Sequence, residues 1–213
     1  MAERRYYPIF VDMTARPCLV AGGGAVAERK VEGLLEAGAR VTVVSPTLTA
    51  RLEAWARAGA IRHVPRTYRP PDLAGQAFVF VATDSAEVTT GLSRDGTDRR
   101  ALVNAADDPD HSDFILPSVL RRGALVVAVA TGGASPALAR AIREELESYF
   151  TDDYAVLARI AAEVRAELRA RGGAASGAEW RRALADLRPL IVAGRHADAR
   201  RLLLERLEAA RCA

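Results

Sequence analysis

Cysteine is scarce in this chain. Its 213 residues include two, Cys18 and Cys212, near opposite ends. That excludes a disulfide framework and the paired spacing of a zinc site. Cys18 lies in the apolar run PCLVA and reads as a small buried hydrophobe, not a nucleophile. Long apolar runs are also missing, and none approaches the roughly 18 residues needed to cross a bilayer. The N-terminus MAERRYYPIF carries charge but no apolar signal core and no small-residue cleavage site. The expected location is therefore the cytosol. Lysine is almost absent: Lys30 is the only one among 30 basic residues. No concentrated basic stripe and no interleaving of aromatic with basic residues is present, which argues against nucleic acid.

What remains is ordinary globular material, 50% hydrophobic and 27% charged, long enough for one large or two small domains. Residues 1–150 carry 18 basic and 18 acidic side chains, so the net charge of +3 resides in residues 151–213. The basic residues are nearly all arginine, which grips carboxylates in a planar two-pronged geometry. A polycarboxylate ligand is compatible with that composition.

Residues 18–104 alternate short apolar runs with helical patterns. The strand candidates are Cys18–Ala21, Val41–Val44, Ile61–Val64, Phe78–Ala82 and Ala101–Asn104. The central ones are apolar throughout, as in strands covered on both faces. Between the first two lies AVAERKVEGLLEAGA, with Val26, Val31, Leu34 and Leu35 near one helical face and Gly38 as its stop. Repetition of this βαβ unit predicts a parallel, doubly wound, Rossmann-type sheet. A helix over 86–100 is expected to end early, because Asp95-Gly96 is a turn signal. Strands are expected at 114–119 and 124–130, joined by a turn at 121–123. A helix follows them, capped by Ser135 with Pro136 in its first turn. The piece 114–150 has too little apolar surface for its own core, and is expected to pack on the first domain or on a second subunit. Helices near 152–170, 178–188 and 197–210 complete the chain. The expected division is 1–113, a sheet domain; 114–150, a small α+β segment; and 151–213, a helical region.

The strongest local motif is AGGGAVA at 21–27, which reads G-x-G-x-x-A with Gly22, Gly24 and Ala27 in the key positions. It follows a strand and opens a helix. Gly22 permits a tight turn, Gly24 lets the backbone approach a pyrophosphate, and Ala27 lets the helix lie close to the sheet. Amides at the helix start then face the negative charge. The alternative is a sharp turn with no ligand. The acid that normally grips the adenosine ribose is missing, and Ser45, Pro46 and Thr47 stand in its place. No arginine stands immediately at that strand end, which mildly disfavours a 2′-phosphate.

The run YPIFVDMTARPCLVAGGGAVAERKVEGLLEAGARVTVVSP resembles the start of the precorrin-2 dehydrogenase family, the module that also begins multifunctional siroheme synthases. FVFVATD at 78–84, LVNAADDPDHSDFILPS at 102–118 and VAVATGGASPALARAIREELE at 127–147 continue the resemblance in order and spacing. It spans residues 6–150 and thins beyond them. The resemblance implies NAD-dependent oxidation of precorrin-2 to sirohydrochlorin, and in some members ferrous iron insertion. It also implies a homodimer, with the segment after the Rossmann domain at the interface. A chain of this length is expected to lack the methyltransferase domain of the fused enzymes.

By position, the resemblance assigns the cofactor to Gly22, Gly23, Gly24, Ala25 and Val26 at the turn. It adds Ser45, Pro46 and Thr47 by the ribose, and Ala82, Thr83 and Asp84 at the nicotinamide side. The family's acid falls on Asp107, whose plainer reading is a turn or capping aspartate before Asp108-Pro109. A carboxylate there suits the chemistry, since oxidation releases a proton as well as a hydride. Arg121, Arg122, Arg140 and Arg143 are either partners of substrate carboxylates or solvated surface charges. With Arg121 and Arg140, the expected substrate-facing set comprises Asn104, Ser118, Thr131 and Gly132. Asp108, Asp110 and Asp113 read as solvated loop acids. One histidine among them, His111, does not make a metal site. Two other functions stay open: mainly a chelatase with a vestigial dinucleotide site, or a non-catalytic NAD-sensing module. The intact glycine turn argues against the first and Asp107 against the second.

Overall fold

The computed structural model describes residues 4–83, 85–98, 100–106 and 108–209. They form two compact units, one up to Leu116 and one from Pro117. Compactness thus gives two bodies where the sequence suggests three segments.

The first unit is a five-stranded parallel sheet. Its strands are β1 (Pro17–Ala21), β2 (Arg40–Val44), β3 (Ile61–Val64), β4 (Phe78–Val81) and β5 (Leu102–Ala105). The order across the sheet is β3-β2-β1-β4-β5. Burial explains that order. The strand sequences PCLVA and FVFV are apolar at nearly every position and occupy the centre, whereas IRHV carries its polar residues to an edge. Successive side chains alternate between two cores. Cys18, Val20, Val41, Val43, Phe78 and Phe80 pack on one side with Val31, Leu34 and Leu52. Leu19, Ala21, Val44, Val79 and Val81 pack on the other with Leu73 and Leu92.

Helix α1 (Ala25–Glu36) buries Ala27, Val31 and Leu34. Val26, expected on that face, is instead 36% exposed. Gly38, at φ 77°, ends the helix as expected. Helix α2 (Ala50–Arg57) is capped by Thr49. Helix α3 (Ala86–Asp98) runs straight through Asp95-Gly96, contrary to the turn expected there. The pair serves packing: a β-carbon on Gly96 would lie 2.3 Å from a Val103 methyl, and Asp95 accepts a hydrogen bond from Tyr68 at 3.0 Å.

The second unit opens with an antiparallel hairpin, β6 (Ser118–Arg122) and β7 (Leu125–Val129). The first of these starts later than the expected 114. Asp113 and Phe114 are already engaged along β5, and Pro117 has no N–H to give a ladder. Helix α4 (Pro136–Tyr149), capped by Ser135, lies on the hairpin. Helices α5 (Asp153–Ala170), α6 (Gly177–Leu184), α7 (Arg188–Val192) and α8 (His196–Ala209) share one core, centred on Ile160, Val164, Leu187, Leu203 and Leu207. The single helix expected near 178–188 is broken at Asp186, whose φ is 59°, and Pro189 restarts it within its first turn. Among the described residues no helix is long and apolar enough to cross a membrane.

Candidate functional site

The chain leaves β1 toward one side of the sheet and β4 toward the other, so the carboxyl ends of β1 and β4 flank a switch point. Open α/β sheets bind ligands at such a crevice. The turn that fills it is Gly22–Gly24. Gly22 has φ 127°, and a β-carbon there would lie 1.9 Å from the Ala82 carbonyl oxygen. A β-carbon on Gly23 would lie 1.9 Å from the Thr47 carbonyl oxygen. The turn is therefore clamped between the segments that follow β4 and β2. Gly24 differs: nothing lies within 4 Å of the side chain it lacks. Its glycine is not needed by the packing of this domain. Gly24, Ala25 and Val26 are exposed, and no side chain caps α1. The first-turn amides are thus left to an outside acceptor, the geometry that receives a phosphate.

Two residues that local sequence reading missed hold this turn. Thr49 donates its amide to the Gly23 carbonyl at 2.9 Å. Its hydroxyl donates to Glu28 at 2.5 Å. Glu28 stands in the first turn of α1, and the Arg51 guanidinium lies 3.8 Å from it. A carboxylate that would otherwise oppose an anion is thereby partnered. A threonine just ahead of a helical run was the available signal, as a capping residue.

Past β2, Ser45 is 6% exposed and donates its hydroxyl to the Thr47 carbonyl at 2.7 Å. Its role is to shape the loop, while Pro46 and Thr47 are exposed. His63 meets the Ser45 carbonyl at 2.9 Å. Past β4, the Ala82 amide donates to the Ala21 carbonyl at 2.8 Å, and Thr83 is half-buried. Asp84 and Asp107 lie outside the described residues.

At β5 stands Asn104, expected to face substrate. Asn104 is 6% exposed, and its amide is engaged inside the domain. Its Oδ1 accepts from Lys30 Nζ at 2.7 Å, and its Nδ2 donates to the Phe114 carbonyl at 2.9 Å. The acids of the following loop have structural partners. Asp113 accepts from the Val103 amide at 2.8 Å, which covers the open edge of β5. Asp110 pairs with Arg4. Asp108 meets His111 Nδ1 at 2.6 Å, and that contact holds its carboxyl below the usual carboxylate range. Among the described residues no group of three or more His, Cys, Asp or Glu side chains is placed to hold a metal ion.

Ser118, Arg121, Thr131, Gly132 and Arg140 belong to the second unit. Arg121 is exposed on β6, and Arg140 is an exposed partner of Glu144 at 3.1 Å. Thr131 Oγ1 both donates to the Ser135 carbonyl and accepts from the Ser135 amide, each at 3.0 Å, which fixes the turn into α4. Gly132 in that turn has φ 64°.

Residues 9–118 match a family model described as putative NAD(P)-binding, and residues 122–149 one described as the central part of a sirohaem biosynthesis protein. The chain is similar to the siroheme synthase of Methylobacillus flagellatus, with 44% identity over 77% of this chain and 35% of that protein. It is also similar to the siroheme synthase of Methylococcus capsulatus, with 38% identity over 96% of this chain and 44% of that one. It therefore spans less than half the length of these relatives. Among solved structures it is similar to SirC, a precorrin-2 dehydrogenase, with a TM-score of 0.73 and 28% identity over 96% of this chain and all of that one. A clamped glycine turn on a five-stranded parallel sheet, followed by a siroheme-type central segment, assigns this chain to the precorrin-2 dehydrogenase family.

Proposed function

We propose that the chain catalyses the NAD-dependent oxidation of precorrin-2 to sirohydrochlorin. The observation that carries this reading is Gly24, side-chain-free where the domain's own packing does not ask for it, at the switch point of the sheet. When bound there, NAD supplies the hydride acceptor. The open amides of Ala25 and Val26 would hold the diphosphate, the loop Ser45–Thr47 would border the adenosine ribose, and Ala82 and Thr83, with Asp84 next in sequence, would serve the nicotinamide side. Oxidation of precorrin-2 removes a hydride from a ring-bridging carbon and a proton from the macrocycle, and bound NAD would accept the hydride. Asp107 takes the proton.

NAD rather than NADP is favoured because residues 45–50, which follow β2, include no arginine or lysine. Arg66, beyond β3, is held by both oxygens of Asp72 at 2.6 and 2.8 Å. Arg121 and Arg140 are exposed for the carboxylates of the tetrapyrrole. An exposed pair such as Arg140–Glu144 is weak and gives up its partner at little cost. Ser118, Thr131 and Gly132 line the same substrate. The chain works in the cytosol as a homodimer, with the outer face of the β6–β7 hairpin, where Val119 is exposed, against a second copy.

The test is an anaerobic incubation of purified protein with precorrin-2 and NAD. Sirohydrochlorin and NADH are expected in equal amounts. Sirohydrochlorin formation that is absent, or independent of NAD, overturns the reading. Sirohydrochlorin with ferrous iron and no NAD, in a parallel arm, measures chelation alone.

A further inference from the structure

A half-buried cation in the first unit is engaged away from the glycine turn. Lys30, the only lysine in the sequence, lies on α1. It reaches the Asn104 side chain at 2.7 Å, and its ammonium stands 5.6 Å from the centre of the Phe80 ring. Phe80 is on β4 and pairs in register with Asn104 on β5. Asn104 then donates to the Phe114 carbonyl, and the Phe114 ring packs edge-on against Phe78 and Phe80 at 5.9 and 5.7 Å. One side chain thus spans from the helix that begins at the phosphate turn, across β4, to β5.

Stability does not explain this arrangement. Taking the Asn104 amide out of water, and the Lys30 ammonium part of the way, is costly, and such a polar pair is often matched or bettered by apolar side chains of similar volume. A lysine also differs from the arginine that this chain uses elsewhere. Its ammonium is a compact charge that fits between a ring face and one amide oxygen, where a planar fork does not. What the pair does fix is register between two functional ends. One is the amino end of α1. The other is the carboxyl end of β5, which leads within three residues of sequence to Asp107.

We propose that Lys30 and Asn104 are a positioning pair that couples the dinucleotide turn on α1 to the end of β5, where the proton acceptor is carried. The proposal rests on the dehydrogenase reading above. The role assigned to both residues is to position, not to react. Lys30 holds β5 at the height that α1 dictates, and Asn104 passes the constraint to Phe114 and the returning chain. Misplacement of a catalytic group by about 1 Å costs on the order of 100-fold in rate, so a modest loosening is visible in turnover.

The experiment compares the full chain with K30M and with the double variant Lys30→Met/Asn104→Leu, which replaces the polar pair by an apolar one. NAD affinity is expected to stay within about twofold in both, because the turn itself is untouched. Turnover of precorrin-2 is expected to fall roughly 10- to 100-fold with KM little changed, and to stay low in the double variant even where its melting temperature equals that of the parent. A purely structural pair predicts the opposite, turnover returning with stability. Hydrogen exchange gives a readout without substrate. NAD is expected to slow exchange of the amides from residue 105 to 113 in the parent but not in the double variant. Parent-like turnover in the double variant, or protection of 105–113 by NAD in both proteins alike, overturns the proposal. Absence of any such protection in the parent overturns it too. A parent that binds NAD and gains that protection yet leaves precorrin-2 unchanged overturns the dehydrogenase reading instead.

Discussion

The amide of Thr49 donates to the carbonyl of Gly23 at 2.9 Å, so the start of α2 is fastened to the middle of the β1–α1 turn. The same residue caps α2 through the Leu52 amide at 3.3 Å and partners Glu28. Replacing it by valine keeps the shape but removes the hydroxyl. Thermal unfolding of T49V is expected to show a loss of about 1 kcal/mol, the usual worth of a cap. NADH fluorescence titration is expected to show weaker binding, because Glu28, left with only the more distant Arg51 at 3.8 Å, then opposes the anion more strongly. Unchanged affinity would remove Glu28 and Thr49 from the site.

Gly24 gives a sharper contrast. Its backbone, at φ −88° and ψ −171°, is open to any residue, and the space around it is empty. Aspartate is a favoured N-cap and suits the positive end of a helix. The Gly24→Asp variant is therefore expected to melt no lower than the parent while losing NAD binding altogether. Gly23→Ala is expected to do the reverse of the first half, since its methyl meets the Thr47 carbonyl and lowers stability. Calorimetric melting and NAD titration of the two variants side by side check both statements.

Those two glycines also mark how far the sequence could be read. The pattern of apolar runs identified all five strands of the sheet, because PCLVA and FVFV admit little else than strands buried on both faces. Asp95-Gly96 misled, because the chemistry that suits a turn also suits a close helix–strand contact. The distinction lies in Val103, which is remote in sequence. The partners of Asn104 were illegible for the same reason: Lys30 and the Phe114 carbonyl come together only in the folded sheet. In the turn, local rules identified Gly22 and Gly24, but not Gly23, whose constraint arrives from the loop after β2.

Acid sensitivity is expected to concentrate in paired carboxylates. Hydrogen bonds from Arg66 hold Asp72 below its ordinary value of 3.8. A carboxyl with a depressed folded-state pKa contributes stability that is complete above the unfolded value and is lost as pH falls through the folded one. Melting temperature is thus expected to drop progressively below about pH 4, with a shallower drop in Asp72→Asn than in the parent. Parallel curves for the two proteins would contradict the assignment.

Cys18 is fully buried, and burial pushes its thiol up to about 11. With Cys212 changed to serine, the native protein is expected not to react with a disulfide reagent at pH 8. One thiol is expected to appear on unfolding in guanidinium. Prompt reaction of the native protein would show that the centre of the sheet opens.

The most direct measurement concerns the acid beyond β5. Anaerobic precorrin-2 oxidation by Asp107→Ala, followed through NADH and sirohydrochlorin absorbance together, separates cofactor binding from proton transfer. The expected result is NAD affinity within about twofold of the parent and turnover lower by on the order of 100-fold or more. Turnover close to the parent's would contradict the account, because the proton would then have another acceptor.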